Sequence, residues 1–308
     1  MQTLTRFSLL ASLIAASALP AAAVTTIFAP GVTKESGWYD TNKAFTADDY
    51  YLCWAASATN LIAWWLDGYE RSGGDVSQIT ARTKEQIFQN FKSNWISDAG
   101  GYDGKNGINW YFTGKFSSGA APSNLKNKDS GGYLSELEGV GGRNAWNIIN
   151  QDFKYWGVQE TGKVFLNDET DYFVDGGSLN TYENFSKMIL EQLEQGATML
   201  SVHRLTTGSA SGHAITLWGC EYDETLGLVT KLYVTDSDDH YDGLKEYDLT
   251  ANSGGIGVVM QNFWYANERY GRITSSTMMY SAYIPEPSAF GLLAGVLAFG
   301  LGVSRRRR

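Results

Sequence analysis

"KAFTADDYYLCWAASATNLIAWWLDG", residues Lys43 to Gly68, holds one of the two cysteines in a chain of 308 residues. A polar, acidic turn precedes Cys53, and a run of Ala, Ser and Thr followed by large apolar residues comes after it. This pattern predicts a helix from about Cys53 to Leu66, closed by Asp67-Gly68. Ala56, Asn60, Ala63 and Trp64 form one stripe, and Leu61 and Trp65 fill the space beside it. The helix is therefore apolar on nearly every side and belongs in a core, with Trp64 and Trp65 as packing residues. Its first turn presents a thiol beside backbone N–H groups that have no partner within the helix. A helix N-terminus and a neighbouring imidazolium both favour the thiolate, and the same donors can hold a developing oxyanion.

The two ends of the chain differ from the body between them. Met1 to Ala23 carries Arg6, an apolar run and Ala21-Ala22-Ala23, the signature of a secretory signal peptide. At the other end, Pro285-Glu286-Pro287 precedes the apolar stretch Ala289 to Val303, then Ser304 and Arg305 to Arg308. A spanning helix needs about 20 apolar residues, so this segment is short and rich in glycine for a lasting anchor. The arginines hold its end on the cytoplasmic side. Pro-Glu-Pro, an apolar stretch and a basic tip resemble the PEP-CTERM sorting signal of bacteria. That resemblance implies a membrane enzyme that recognises and removes the tail; a plain single-pass transmembrane helix is the alternative. Residues 24–283 remain, enough for one large domain or for two lobes sharing a cleft. Without Arg6, Glu286 and Arg305 to Arg308, the formal charge moves from −9 to −13. Such an acidic body excludes a nucleic-acid-binding role and suits an exported domain.

Along the body, Thr80 to Ile96 predicts an amphipathic helix with Ile87, Phe88, Phe91 and Trp95 on one side. Residues 99–142, dense in Gly, Ser, Asn and Lys, read as mostly loop. A further helical block spans Arg143 to Trp156. Asn180 and Glu183 make a capping-box-like start for a helix through Leu193, ended by Gly196. Beyond Gly196 the rhythm is that of strands: "ATMLSVHRL", "HAITLWGCEYD", "LVTKLYVTDSD", "GLKEYDL", "GIGVVMQNFWYA" and "MMYSAYI". Helices first and an antiparallel sheet second make an α+β chain.

A base for Cys53 has to come from His203, His213 or His240. His213 opens a strand after the flexible "TTGSASG", well placed to project into a cleft. Asp236 and Asp238, at the end of the partner strand, share a face, so one can orient it while the other contributes charge. Cys53, His213 and one of these two aspartates then make a workable nucleophile, base and orienter set. Other readings stand beside this one. Two cysteines in an exported chain often pair, and from spacing alone a Cys53–Cys220 disulfide and catalysis both remain open. Strand alternation and rise nevertheless put Cys220 on the face opposite His213 and roughly 23 Å along the strand. "DSDDHYDG" offers Asp236, Asp238 and Asp242 to a calcium ion, but Tyr241 stands where the standard loop requires glycine. His203 and His240 read as structural or solvent-facing.

"GWYDTNKAF" (37–45), "LCWAASATNLIAWWLD" (52–67), "HAITLWGCEYD" (213–223) and "LYVTDSDD" (232–239) together resemble the immunoglobulin-degrading cysteine endopeptidases of the IdeS/Mac type. The likeness is dense over residues 37–67 and 196–250 and thin over about 70–180. It implies a papain-like fold, with a helical lobe (about 24–157) and a β-rich lobe (about 158–283) flanking a cleft. It implies Cys53 as nucleophile, His213 as base and acid, Asp236 as its orienter, Lys43 at the oxyanion site and Asp238 as a supporting carboxylate. No metal or organic cofactor is needed, and the partners are a protein or peptide substrate and the membrane enzyme that processes the tail. The segment 284–308 has no counterpart in host-secreted immunoglobulin-cleaving enzymes, which turns the substrate expectation toward surface or matrix proteins. The expected location is the cell envelope or the medium. Two rival functions use the same residues: a non-catalytic surface or biofilm-matrix binding protein on a peptidase-like fold, and a transglutaminase-like acyl transferase.

Overall fold

The computed structural model describes residues 24–73, 75–77, 79, 81–98, 104–114, 121–127, 131–132, 166–170, 181–204, 212–239, 241–251, 258–263 and 271–281. The segments expected as signal peptide and sorting tail, and the helix expected over Arg143 to Trp156, lie outside these residues.

Four helices and eight strands alternate unevenly along the described chain. Strand β1 (Val24–Phe28) comes first, followed by α1 (Cys53–Arg71), α2 (Lys84–Asn94) and α3 (Gly104–Thr113). Then come β2 (Leu166–Thr170), α4 (Tyr182–Gln195), β3 (Gly196–Arg204), β4 (Gly212–Asp223) and β5 (Leu228–Thr235). The last three are β6 (Lys245–Ala251), β7 (Val258–Met260) and β8 (Gly271–Tyr280). The sheet is antiparallel in every pairing, in the order β1-β4-β3-β8-β7-β6-β5. A further β4–β5 pairing bends this path back on itself, and β2 lies along β8. The chain is therefore α+β, as its sequence pattern predicts.

Helix α1 is the axle of the structure. Every residue from Trp54 to Leu66 is buried. It packs on α2 and α3 on one side and on β3 and β4 on the other. Trp54 meets Trp95 and Phe91 with ring centroids 4.9 and 5.6 Å away, and Trp110 continues the cluster 5.6 Å from Trp95. Edge-to-face pairs of this kind each contribute roughly 0.5–1.5 kcal/mol beyond the area they bury. One polar pin crosses this apolar contact. Asn60 Nδ2 donates to Thr216 Oγ1 on β4 (3.0 Å) and to Thr235 Oγ1 on β5 (3.3 Å). Thr235 Oγ1 also accepts from Trp218 Nε1 and donates to the Tyr39 carbonyl, each at 2.9 Å. One hydroxyl thus joins the helix, two strands and the segment leading to Lys43.

Several element boundaries differ from expectation. Helix α1 runs five residues past Leu66, because Gly68 is buried in its packed face and Arg71 pairs back to Asp67 at 3.2 Å. The stretch expected as loop contains α3, with Trp110, Tyr111 and Phe112 fully buried. Its glycines serve packing there: a Cβ on Gly107 would lie 2.5 Å from the Trp54 ring. Helix α2 is shorter than predicted and is capped at Thr83 by a capping box with Gln86. Helix α4 is capped by Thr181, whose hydroxyl accepts from Asn184 N–H, one residue later than the predicted start, and it does end at Gly196.

Candidate active site

Cys53 is the first residue of α1, after Leu52, an N-cap that offers no side-chain hydrogen bond. No acidic residue occupies the first turn. The thiol is half-buried and free, as is the buried Cys220, so the alternative disulfide is not formed. The two thiols differ sharply. Burial, helped by the Glu221 charge, pushes Cys220 up to about 12. Burial also pushes Cys53 up, but the hydrogen bond and charge of His213, the Lys43 ammonium and the Ala214 N–H outweigh it and hold the thiol below its ordinary value.

His213 sits at the start of β4 with 1% of its surface exposed. Its Nε2 lies 2.6 Å from Asp236 Oδ1, and the imidazole shares a hydrogen bond with Cys53. Burial opposes its charge, yet Asp236 and the Cys53 sulfur raise its pKa well above the ordinary histidine value. Burial likewise disfavours the Asp236 carboxylate, but His213, the Asp238 N–H and Lys245 overcome this and lower its pKa. The ring of Phe263 lies 6.3 Å from that of His213 and is fully buried. The local balance favours a thiolate–imidazolium pair backed by a carboxylate.

The two carboxylates reach His213 differently from the expected strand alternation. β5 ends at Thr235, and Asp236 Oδ1 accepts the Asp238 N–H at 3.0 Å, so both residues belong to a turn closed by a side chain. Asp238 Oδ2 lies 3.8 Å from His213 Nδ1, and its Oδ1 lies 2.8 Å from Lys43 Nζ. Lys43 is 4% exposed, donates to the Tyr50 carbonyl at 2.7 Å and lies over the Phe45 ring at 5.1 Å. All five predicted site residues are thus joined in one connected cluster. The other candidates stand apart from it. His203 has its pKa lowered by burial and by Arg272, and His240 lies outside the described residues. Asp242 points toward Lys84 at 3.8 Å and not toward Asp236 and Asp238, so the calcium-loop alternative loses a ligand. Among the described residues, His213, Asp236 and Asp238 do bring ligand-type atoms within 4.8 Å of one another. The Asp236 and Asp238 oxygens already serve His213 and Lys43.

Two contributions had no signal in the sequence. The Ala214 N–H reaches Cys53 through its backbone, which any residue type could supply. The segment from Tyr39 to Lys43 is fastened to the Asp236 turn: Lys43 N–H donates to the Ser237 carbonyl, Asn42 Nδ2 to the Tyr241 carbonyl, and Gly243 N–H to Asp40 Oδ2, at 3.1, 3.4 and 2.9 Å.

A helix-borne thiol joined to a buried imidazole and carboxylate is the constellation of proteins that perform nucleophilic acyl chemistry. The Mac 1 family model matches residues 25–102 and 167–272, segments that carry all five cluster residues, and the chain belongs to the Mac-1 family. It is also similar to the IgM protease of Streptococcus suis (strain P1/7), 28% identical over 243 residues. That alignment covers 71% of this chain, and the chain spans 19% of the length of this curated relative.

Proposed function

We propose that the protein is an exported cysteine endopeptidase with a papain-like, two-lobed body over residues 24–283. Cys53 is the nucleophile, His213 the acid and base, Asp236 the orienter, Lys43 an oxyanion donor and Asp238 the carboxylate that steadies Lys43. The observation that carries this reading is the hydrogen bond between Cys53 and a His213 that Asp236 holds at 2.6 Å. The Cys53 thiolate adds to the scissile carbonyl carbon, forming the C–S bond and a tetrahedral oxyanion. The Lys43 ammonium and the first N–H groups of α1 stabilise that charge. As the C–N bond breaks, the His213 proton passes to the leaving amine and a thioester remains. Water, deprotonated by His213, then attacks the thioester; the C–S bond breaks and the thiolate–imidazolium pair is restored.

A protein substrate is supported by the relative named as an IgM protease, and a surface or matrix protein fits a chain bearing the expected sorting tail better than an antibody does. The test is hydrolysis of casein by the full chain. Activity that is blocked by a thiol-directed peptide epoxide and absent from Cys53→Ala supports the proposal; full activity in Cys53→Ala overturns it. Incorporation of an added amine in place of hydrolysis transfers the same residues to acyl transfer. Export through residues 1–23 and sorting through 284–308 predict a mature protein beginning near Val24 and ending near the Pro-Glu-Pro stretch, checked by intact mass of the envelope-localised form.

A further inference from the structure

The loop between Lys43 and Cys53 folds back on itself. Lys43 Nζ donates to the carbonyl of Tyr50, seven residues further on, at 2.7 Å. The ammonium can return toward the start of α1 only if the chain reverses between these two residues. The reversal includes Phe45, whose φ of 55° lies in the left-handed region. A bulky side chain rarely takes that conformation, and it persists only where neighbouring contacts impose it.

Asp49 supplies such contacts. Its Oδ2 accepts the Ala44 N–H and its Oδ1 the Thr46 N–H, both at 2.9 Å, so one carboxylate grips the chain on each side of Phe45. The Thr46 hydroxyl adds a third donor at 3.3 Å. The main chain of Asp49 ties the same loop to the helix. Its N–H donates to the Thr46 carbonyl at 3.2 Å, and its carbonyl accepts the Leu52 N–H at 2.9 Å, one residue before the thiol. Leu52 in turn accepts the Ala56 N–H of α1 at 3.0 Å. Asp49 has no exposed surface, and a buried carboxylate is costly to keep unless its oxygens are bonded. Here those bonds shape a cradle: the Phe45 and Tyr50 rings lie 5.1 and 5.9 Å from Lys43 Nζ.

We propose that Asp49 is a positioning residue, which holds the loop from Lys43 to Tyr50 in the shape that sets the Lys43 ammonium at the oxyanion site. The inference deepens the peptidase reading and rests on it, since Lys43 is the oxyanion donor there. Asp49 acts through Lys43 and not on the substrate.

The test is a double-mutant cycle with Lys43→Met in the full chain. Asp49→Asn keeps the side-chain volume but replaces one of the two accepting oxygens with a donor. Removing an oxyanion donor costs about 10²–10³ in kcat, so displacing Lys43 is expected to lower kcat on a peptide substrate by about tenfold or more. KM is expected to stay within about twofold, and in the Lys43→Met background Asp49→Asn should change kcat by less than about twofold. Equal losses in both backgrounds, a loss carried by KM, or an unchanged kcat overturns the proposal. Iodoacetamide alkylation of Cys53 against pH reads the same coupling without turnover. Its inflection should move upward in Asp49→Asn as in Lys43→Met, with no further shift in the double variant; an unmoved inflection, or shifts that add, overturns the proposal. Should the parent hydrolyse no peptide while that alkylation pattern holds, the peptidase reading falls and the positioning role stands. Should Asp49→Asn not fold, Asp49→Glu, which displaces the carboxylate by one methylene, takes its place in both measurements. A loss of kcat confined to the background with Lys43 supports the proposal, and no loss overturns it.

Discussion

A thiol and an imidazole that share a hydrogen bond titrate as a pair, and each partner's charge makes the other's cheaper. In this protein the Cys53 pKa is lowered and that of His213 raised, so both shifts favour the charged pair. Activity should fall on the acid side as the thiolate takes a proton and on the alkaline side as His213 loses one. His213→Ala is expected to lower kcat/KM by about 10²–10⁴-fold, the usual contribution of a positioned acid or base, measured on a peptide substrate. Asp40 makes a separate prediction at this scale. Its pKa is about 7 in the folded protein, against 3.8 for an ordinary exposed carboxyl. The folded state thus holds an extra proton between about pH 4 and 7, and stability is lost as pH rises through that window. Asp40→Asn lacks that loss, so it should be more stable than the parent above pH 7, with the gap closing toward pH 4 in urea unfolding. Lone His and Cys residues are scarce in the sequence, which is why His213 and Cys53 were legible there. The turn that brings both Asp236 and Asp238 to the histidine was not, because strand alternation gives the same two residues by a different geometry.

At the level of elements, α1 carries both the proposed nucleophile and the centre of the core, so site and stability are coupled through one helix. Asn60 joins it to β4 and β5 through Thr216 and Thr235. Asn60→Ala removes two buried hydrogen bonds and is expected to cost about 1–3 kcal/mol in chemical unfolding. Since Thr235 adjoins Asp236, the same variant should also lower kcat. Trp54→Ala, one residue past the thiol, should cost about 3–5 kcal/mol by opening a cavity among Phe91, Trp95 and Trp110. Sequence periodicity revealed α1 because thirteen consecutive buried positions leave a clear apolar signature. It missed α3 and the last turns of α1 for one shared reason. Glycine reads as a breaker locally, but Gly68 is buried on the packed face of α1, and Gly107 sits where the Trp54 ring leaves no room for a Cβ. Tertiary contact there outweighs a helix cost of about 1 kcal/mol per glycine.

Across the whole molecule, helices and a bent antiparallel sheet meet along α1, and the cluster lies where the N-terminus of that helix faces the start of β4 and the end of β5. The Tyr39–Lys43 segment and the Asp236 turn, 196 residues apart in the Tyr39–Thr235 contact, are fastened together there. Such long-range assembly has no local signature; only the order of the family-like segments made it legible. Among the described residues no helix is long and apolar enough to cross a membrane. The central claim is that this assembly turns one thiol of two into a nucleophile. It is tested most directly by the rate of iodoacetamide alkylation against pH, with the modified cysteine assigned by mass spectrometry. Cys53 alone is expected to react, with an inflection below the ordinary thiol value of 9.0 that moves upward in His213→Ala, while Cys220 stays inert. Equal reaction of both thiols, or a Cys53 profile unmoved by loss of the imidazole, contradicts the claim.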